Sequence, residues 1–181
     1  MPLVLAVVVG AVAFGYARGG RLRGLAGIEL RRVWLLAVGV VAQLAVFGLR
    51  LGGPEAVDAA GPALLIVSFA SVLAFLVANR HLPGVWLAVV GVALNAIVIA
   101  ANGAMPVSPG AIAVVSDGAA SFPVGKHEPL GADTRLPWLA DVIPVPPLRS
   151  IVSVGDIILA AGVARLTVTQ MLGGRAPGAQ S

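Results

Sequence analysis

The amino-acid sequence predicts an all-α membrane protein: a bundle of five transmembrane helices with a structured extracytoplasmic loop between the fourth and the fifth. Three observations predict it. Of the 181 residues, 59% are hydrophobic and 11% charged, where a soluble domain is roughly half apolar and a quarter charged. The apolar residues come in nearly charge-free runs of about 15 to 20, the length that a bilayer core asks of a helix. The charges between those runs also sort by sign onto two sides.

The elements follow in order. Residues 2–17 form the first apolar run, short for a span but sufficient with interfacial flanks. A secretory leader carries positive charge ahead of its apolar core. Here Arg18, Arg21 and Arg23 follow it, so the run reads as a retained span with an extracytoplasmic N-terminus. Between Arg18 and Arg32, arginines alternate with Leu22, Leu25, Ile28 and Leu30, a pattern for a basic loop or a segment lying on anionic head groups. Residues 33–51 are the second span, ended by Gly52-Gly53-Pro54. An acidic loop at 55–61 is expected next, then a third span at 62–78 beginning on Pro62. A tight turn, Asn79-Arg80-His81-Leu82-Pro83-Gly84, leads to the fourth span at 85–101. The loop 103–149 precedes a fifth span at 151–168, and 173–181 is a polar cytoplasmic tail. Residues 1–172 are thus expected to make one transmembrane domain.

Under this topology one side receives eight basic residues, Arg18, Arg21, Arg23, Arg31, Arg32, Arg80, Arg165 and Arg175, against Glu29 alone. The other receives Arg50, Lys126, Arg135 and Arg149 with six acids. Basic residues accumulate on the cytoplasmic side, so the loop 103–149 faces outward. Eleven arginines against one lysine, in an Ala-, Gly- and Val-rich chain, suggest a bacterial plasma membrane. Orientation accounts for the +4 net charge better than a nucleic-acid partner does. The chain has no cysteine, which removes disulfides, thiolate metal sites and thiol nucleophiles.

Polar residues inside apolar runs are few and therefore informative. Gln43, Ser68, Ser71, Asn95 and Asp156 fall within the expected spans. Counted at about 1.5 Å per residue, Gln43, Ser68, Asn95 and Asp156 lie roughly 9–12 Å from the outer face, in one layer. Asn95 and Asn102, seven apart, share a helix face with Gly91; Gln43 shares one with Arg50; Ser150, Ser153 and Asp156 step by three. These spacings place a polar pocket beneath the outer loop, with Gln43, Arg50, Asn95, Asn102 and Asp156 as candidates. Interhelical hydrogen bonding is the plain alternative for the amides and serines. Asp156 carries more, since a carboxylate in hydrocarbon is unfavourable by about 2.5–3.5 kcal/mol. Its removal by Asp156→Leu is expected to leave insertion intact.

The loop holds eight of the thirteen prolines yet many apolar side chains, among them Ile112, Val114, Phe122, Leu136, Trp138 and Ile143. A disordered loop would be polar, so a packed cap is expected, with 136–143 as a short surface helix anchored by Trp138. Its titratable residues are Lys126, His127, Glu128, Asp133, Arg135 and Asp141. No ligand spacing for a metal is present; His127 is a solvated residue or an acid/base group.

Asn102-Gly103-x-Met105-Pro106 after an apolar helix, His127, Asp141-Val-Ile-Pro and Ser153-Val-Gly-Asp156 together resemble a family of bacterial multi-pass membrane proteins known as domain of unknown function 5317. The resemblance implies a multi-pass membrane protein and no particular activity. Asn102-Gly103, Asp141 and Asp156 are also similar, in order, to the Asn-Gly motif and two aspartates of lipoprotein signal peptidases. Only Asp133-Thr134-Arg135 stands where that family has an Asn-x-x-Asp-Arg block.

Three readings follow. In the first, the protein is a non-catalytic accessory or scaffold with an outward polar pocket around Asp156. In the second it binds or carries a lipid or amphiphile. In the third it is an intramembrane hydrolase using Asp156 with Asp141 or His127. No cofactor or metal is implied. The partners are membrane lipids, and for a scaffold another membrane protein or a second copy of the chain.

Overall fold

The structure is a computed structural model that describes residues 2–51, 54–115 and 127–173. It is mostly helical. The long helices are α1 (Pro2–Ala17), α3 (Val33–Leu51), α4 (Pro54–Ala78), α5 (Val85–Asn102) and α7 (Val154–Gly173), with a one-turn α2 (Arg23–Ala26) between the first two. Three stretches, Ala60–Ala78, Val85–Asn102 and Val154–Gly173, are long and apolar enough to cross a membrane; α1 and α3 are apolar and shorter. Large apolar side chains stand exposed along these helices, such as Leu5 (68%), Leu44 (62%) and Ile66 (64%). Hydrocarbon accepts such faces and water does not.

The helices pack in the order α3–α4–α5–α7–α1. Apolar helices in an apolar solvent gain little from burial, so close backbone approach has to hold them. The α5–α7 seam shows how. Gly91 of α5 faces Gly155 and Leu159 of α7, and Gly162 of α7 faces Ala88 of α5 and Gly84, the residue just before that helix. A Cβ on Gly162 would stand 2.7 Å from both Ala88 N and Gly84 O. Seven-residue spacing on both helices, Gly84/Gly91 and Gly155/Gly162, keeps these positions on one face. On the other flank of α7, the buried Met171 fills the space above Gly15 and Gly20, and its carbonyl accepts Arg21 N–H at 2.9 Å.

Several elements depart from the sequence reading. The acidic loop expected at 55–61 is helical: α4 starts at Pro54 and carries Pro62 inside it. Pro54, directly after Gly52-Gly53, is as good a helix start as Pro62, and an interior proline is tolerated in an apolar helix. The helix expected from Ile151 begins at Val154 and runs on to Gly173, because residues 150–152 are a strand. The surface helix expected at 136–143 reduces to a single 3-10 turn, Pro137–Leu139. Leu136 takes a left-handed φ of 54°, and Pro144, Pro146 and Pro147 lack the N–H that a helix interior needs.

The segment after α5 is therefore not purely helical. It builds a cap from β1 (Met105–Val107), α6 (Pro109–Val115), β2 (His127–Pro129), β3 (Ile143–Val145) and β4 (Ser150–Val152). β1 pairs in parallel with β2, Met105 opposite His127. β3 pairs antiparallel with β4, Ile143 opposite Val152, and so delivers the chain into α7. β1 is the cap's centre: all three of its residues are buried. Its free edge is taken by Asp141, whose N–H donates to Pro106 O and whose carbonyl accepts Ser108 N–H, both at 2.9 Å.

Candidate functional site: the seam between cap and bundle

Ser153 follows β4 and caps α7. Its Oγ accepts Asp156 N–H at 3.0 Å, and its own N–H donates to Asp156 Oδ2 at 3.2 Å. That is a capping box, Ser-x-x-Asp, which satisfies two otherwise orphaned amides at the helix start. Two further bonds close it onto α5. Ser153 Oγ–H donates to Asn95 Oδ1 at 2.9 Å, and Asn95 Nδ2 donates to Asp156 Oδ1 at 2.8 Å. Ser153, Asn95 and Asp156 thus form a closed ring of four hydrogen bonds. Gly155 makes it possible, since a Cβ there would collide with the Asn95 carboxamide.

The ring revises the place of Asp156. It lies in the first turn of α7, next to the cap, and not several residues down a span that begins at 151. Both of its oxygens hold neighbouring groups, and the helix N-terminus favours its negative charge.

Asn102 performs a related task at the end of α5. Gly103, with φ 81°, ends the helix through its N–H to Ile99 O at 2.7 Å. The Asn102 carboxamide then clamps the cap: Nδ2 donates to Arg135 O at 2.9 Å, and Oδ1 accepts Arg135 N–H at 2.8 Å. Nδ2 also reaches Val98 O, one turn back, at 2.9 Å. A cleft of about 380 Å³ opens beside it, lined by Asn102, Pro106, Pro129, Asp133, Thr134 and Arg135 among others. Asp156 is not among its lining residues.

Asp141 is buried at 6% exposure under β1. Loss of water, and then the charge of Asp156, push its carboxyl from 3.8 to about 7. The two acids named from sequence therefore sense each other.

Gln43 is elsewhere. Its Nε2 donates to Ser68 Oγ at 3.0 Å, and Ser68 Oγ–H donates to Gly39 O at 3.0 Å. This places Gln43 and Ser68 on the α3–α4 contact, while Asn95 and Asp156 sit on the α5–α7 contact. The side chains of Arg50, His127 and Glu128, and all of Lys126, lie outside the described residues; the His127 backbone is in β2. Among the described residues, no three His, Asp or Glu side chains gather as a metal site would require.

Sequence reasoning passed over Asn79. It follows α4, is buried to 1%, and clamps Arg31 as Asn102 clamps Arg135. Arg31 N–H donates to Asn79 Oδ1 at 2.7 Å, and Asn79 Nδ2 donates to Arg31 O at 2.9 Å and to Phe75 O at 2.8 Å. The signal was an asparagine at the C-terminal end of each of two apolar helices.

Fold and site together define a class: a helical bundle, three of whose helices are long and apolar enough to cross a membrane, closed at one end by a small mixed cap. A family model described as a family of unknown function (DUF5317) matches residues 27–168, and the chain belongs to that family. Both asparagine clamps and the whole Ser153–Asn95–Asp156 ring lie within the match. No curated protein and no solved structure matches the chain.

Proposed function

We propose that the protein is a five-span membrane protein acting as a non-catalytic scaffold, whose cap is presented to a partner outside the membrane. The observation that carries this reading is the ring. Asp156, the residue with the strongest claim to chemistry, has both carboxylate oxygens engaged, one by Asn95 of α5 and the other by the Ser153 N–H where the cap leads into α7. The helices α1 and α3, though short, suit thinner or locally adjusted bilayer, and the distribution of arginines orients the cap outward. The cap itself exposes Trp138 (65%) and Val114 (53%), the amphipathic and apolar side chains from which binding surfaces are built.

The test is a photo-crosslinking amino acid placed at Trp138 or at Val90, an exposed residue of α5, in cells making the chain at low level. A scaffold gives one discrete protein adduct from position 138 and none from position 90. Adducts only to lipid from both positions overturn the reading.

The acid pair favours a second reading, an intramembrane hydrolase. A carboxyl raised to about 7 by burial and by the charge of another carboxyl suits general acid/base chemistry. That reading needs an opening onto both acids. The cleft beside Asn102 and a second at the other end of the bundle are lined without either.

A further inference from the structure

At the end of the bundle remote from the cap, a concavity of about 600 Å³ is lined by Arg31, Arg32, Arg80 and His81, with Ala74, Val77 and Ala78 of α4 as its wall. We propose that it binds the phosphate headgroup of an anionic phospholipid. Three arginines line it, and a guanidinium is a planar fork suited to phosphate oxygens. Among the described residues, no carboxylate lines the concavity and none of the three arginines forms an ion pair. Glu29 is the nearest acid in sequence and is not part of the lining.

The geometry is built rather than incidental. Asn79, buried to 1%, grips the Arg31 backbone by both its N–H and its carbonyl. Arg32, the next residue, is held at φ 55°, a left-handed conformation that a non-glycine residue keeps only where its surroundings impose it. Arg80 and His81 follow Asn79 directly. One buried carboxamide thereby sets both halves of the cationic cluster.

The surroundings select a lipid over a free anion. Ala74, Val77 and Ala78 continue the concavity from the cluster up the apolar face of α4, where an acyl chain would lie. Trp34 (63% exposed) and Trp86 (57% exposed) sit in the first turns of α3 and α5 at this same end. Indole rings at one level mark the membrane–water boundary, which puts the guanidiniums at headgroup height.

The inference rests on the membrane reading above, and the experiment separates the two. Membranes carrying the full chain are washed in alkaline carbonate; the protein is then purified in mild detergent. Bound lipid is read by native mass spectrometry after titration with phosphatidylglycerol, phosphatidylcholine or inorganic phosphate. The expected result is one retained phosphatidylglycerol, at least tenfold preferred over phosphatidylcholine. Arg31→Gln/Arg32→Gln/Arg80→Gln should lose that preference. An equal charge loss outside the concavity, Arg21→Gln/Arg23→Gln/Arg165→Gln, should keep it within about twofold. If the pocket triple is not recovered folded, Arg80→Gln alone is expected to reduce retention at least threefold. Equal loss in both triples would reduce the site to general surface charge and overturn it. Inorganic phosphate displacing the lipid at millimolar concentration would overturn the lipid assignment. A chain that withstands carbonate but shows no phosphatidylglycerol preference fails the site alone; one that washes off fails the membrane reading first.

Discussion

At the scale of single residues, the Asn95 carboxamide donates to Asp156 and accepts from Ser153, and that fixed polarity makes the ring testable. Asp156→Asn turns one acceptor into a donor that faces either Asn95 Nδ2 or Ser153 N–H. Loss of a cap and of one buried hydrogen bond should lower stability by about 1–2 kcal/mol. Asn95→Asp sets two carboxylates together and should be worse. The swap Asn95→Asp/Asp156→Asn restores every donor–acceptor pair, the carboxamide now on α7 donating to the carboxylate now on α5. Thermal unfolding of the four proteins should therefore show strong positive coupling. Additive losses would mean that the ring is not the unit described. For the same reason Asp156→Leu, expected from sequence to leave insertion intact, should now lower the protein's accumulation. Asp141 gives a pH prediction. Its folded value of about 7 exceeds the ordinary 3.8, so between those values the folded state binds more protons than the unfolded. Stability should therefore be greatest in acid, fall by up to about 1.4 kcal/mol per pH unit up to about pH 7, and level off above. Asp141→Asn should remove that fall; hydrogen exchange of cap amides at pH 5.5 and 8 measures it.

At the scale of elements, glycines are interchangeable in composition and very different in place. Gly91→Ala would press a Cβ into Gly155 O and Leu159 N across the α5–α7 seam, whereas Gly10 has nothing within 4 Å. Gly91→Ala should destabilise by about 1–3 kcal/mol through overpacking, and Gly10→Ala should gain a few tenths to about 1 kcal/mol from helix propensity. Melting temperatures in one detergent decide between them. The helices were legible because apolar runs of the right length leave few alternatives. Asn95 and Asp156 were legible only as two of five pocket candidates, because polar groups in such runs need partners. Their geometry was not, since Ser153-Val154-Gly155-Asp156 carries two signals at once, a polar residue in an apolar run and a capping box. Reading only the first sent the helix back to Ile151. The cap's strands were hidden for another reason. Met105 pairs with His127 and Ile143 with Val152 across intervening chain, and each strand is three residues long, too short for any alternation to register.

At the scale of the whole molecule, the proposed orientation has a direct check in a chain free of cysteine. A single cysteine at Gly131, on the exposed cap, should react with a membrane-impermeant maleimide in intact cells. One at Gly27, in the basic segment before α3, should react only after permeabilisation. The reverse pattern would invert the topology and move the cationic concavity to the outer leaflet. The two asparagine clamps give this architecture a common logic at its opposite ends. Asn102 ties Arg135 of the cap to the end of α5, and Asn79 ties Arg31 to the end of α4, so each clamp joins a helix terminus to a segment 33 or 48 residues away.

The position of α7 also dictates an order of events during synthesis. It is the partner of both α1 and α5, yet it emerges after them and after the cap. Until it does, the glycine-lined face of α5 and the space above Gly15 and Gly20 have no occupant, and Asn95 faces no capping box. A nascent chain therefore holds α1 and the α3–α4–α5 group without the element that joins them. The ribosome must pass Met171 before the bundle can close, which makes the interval between α5 and α7 the time at which quality-control proteases have most to recognise.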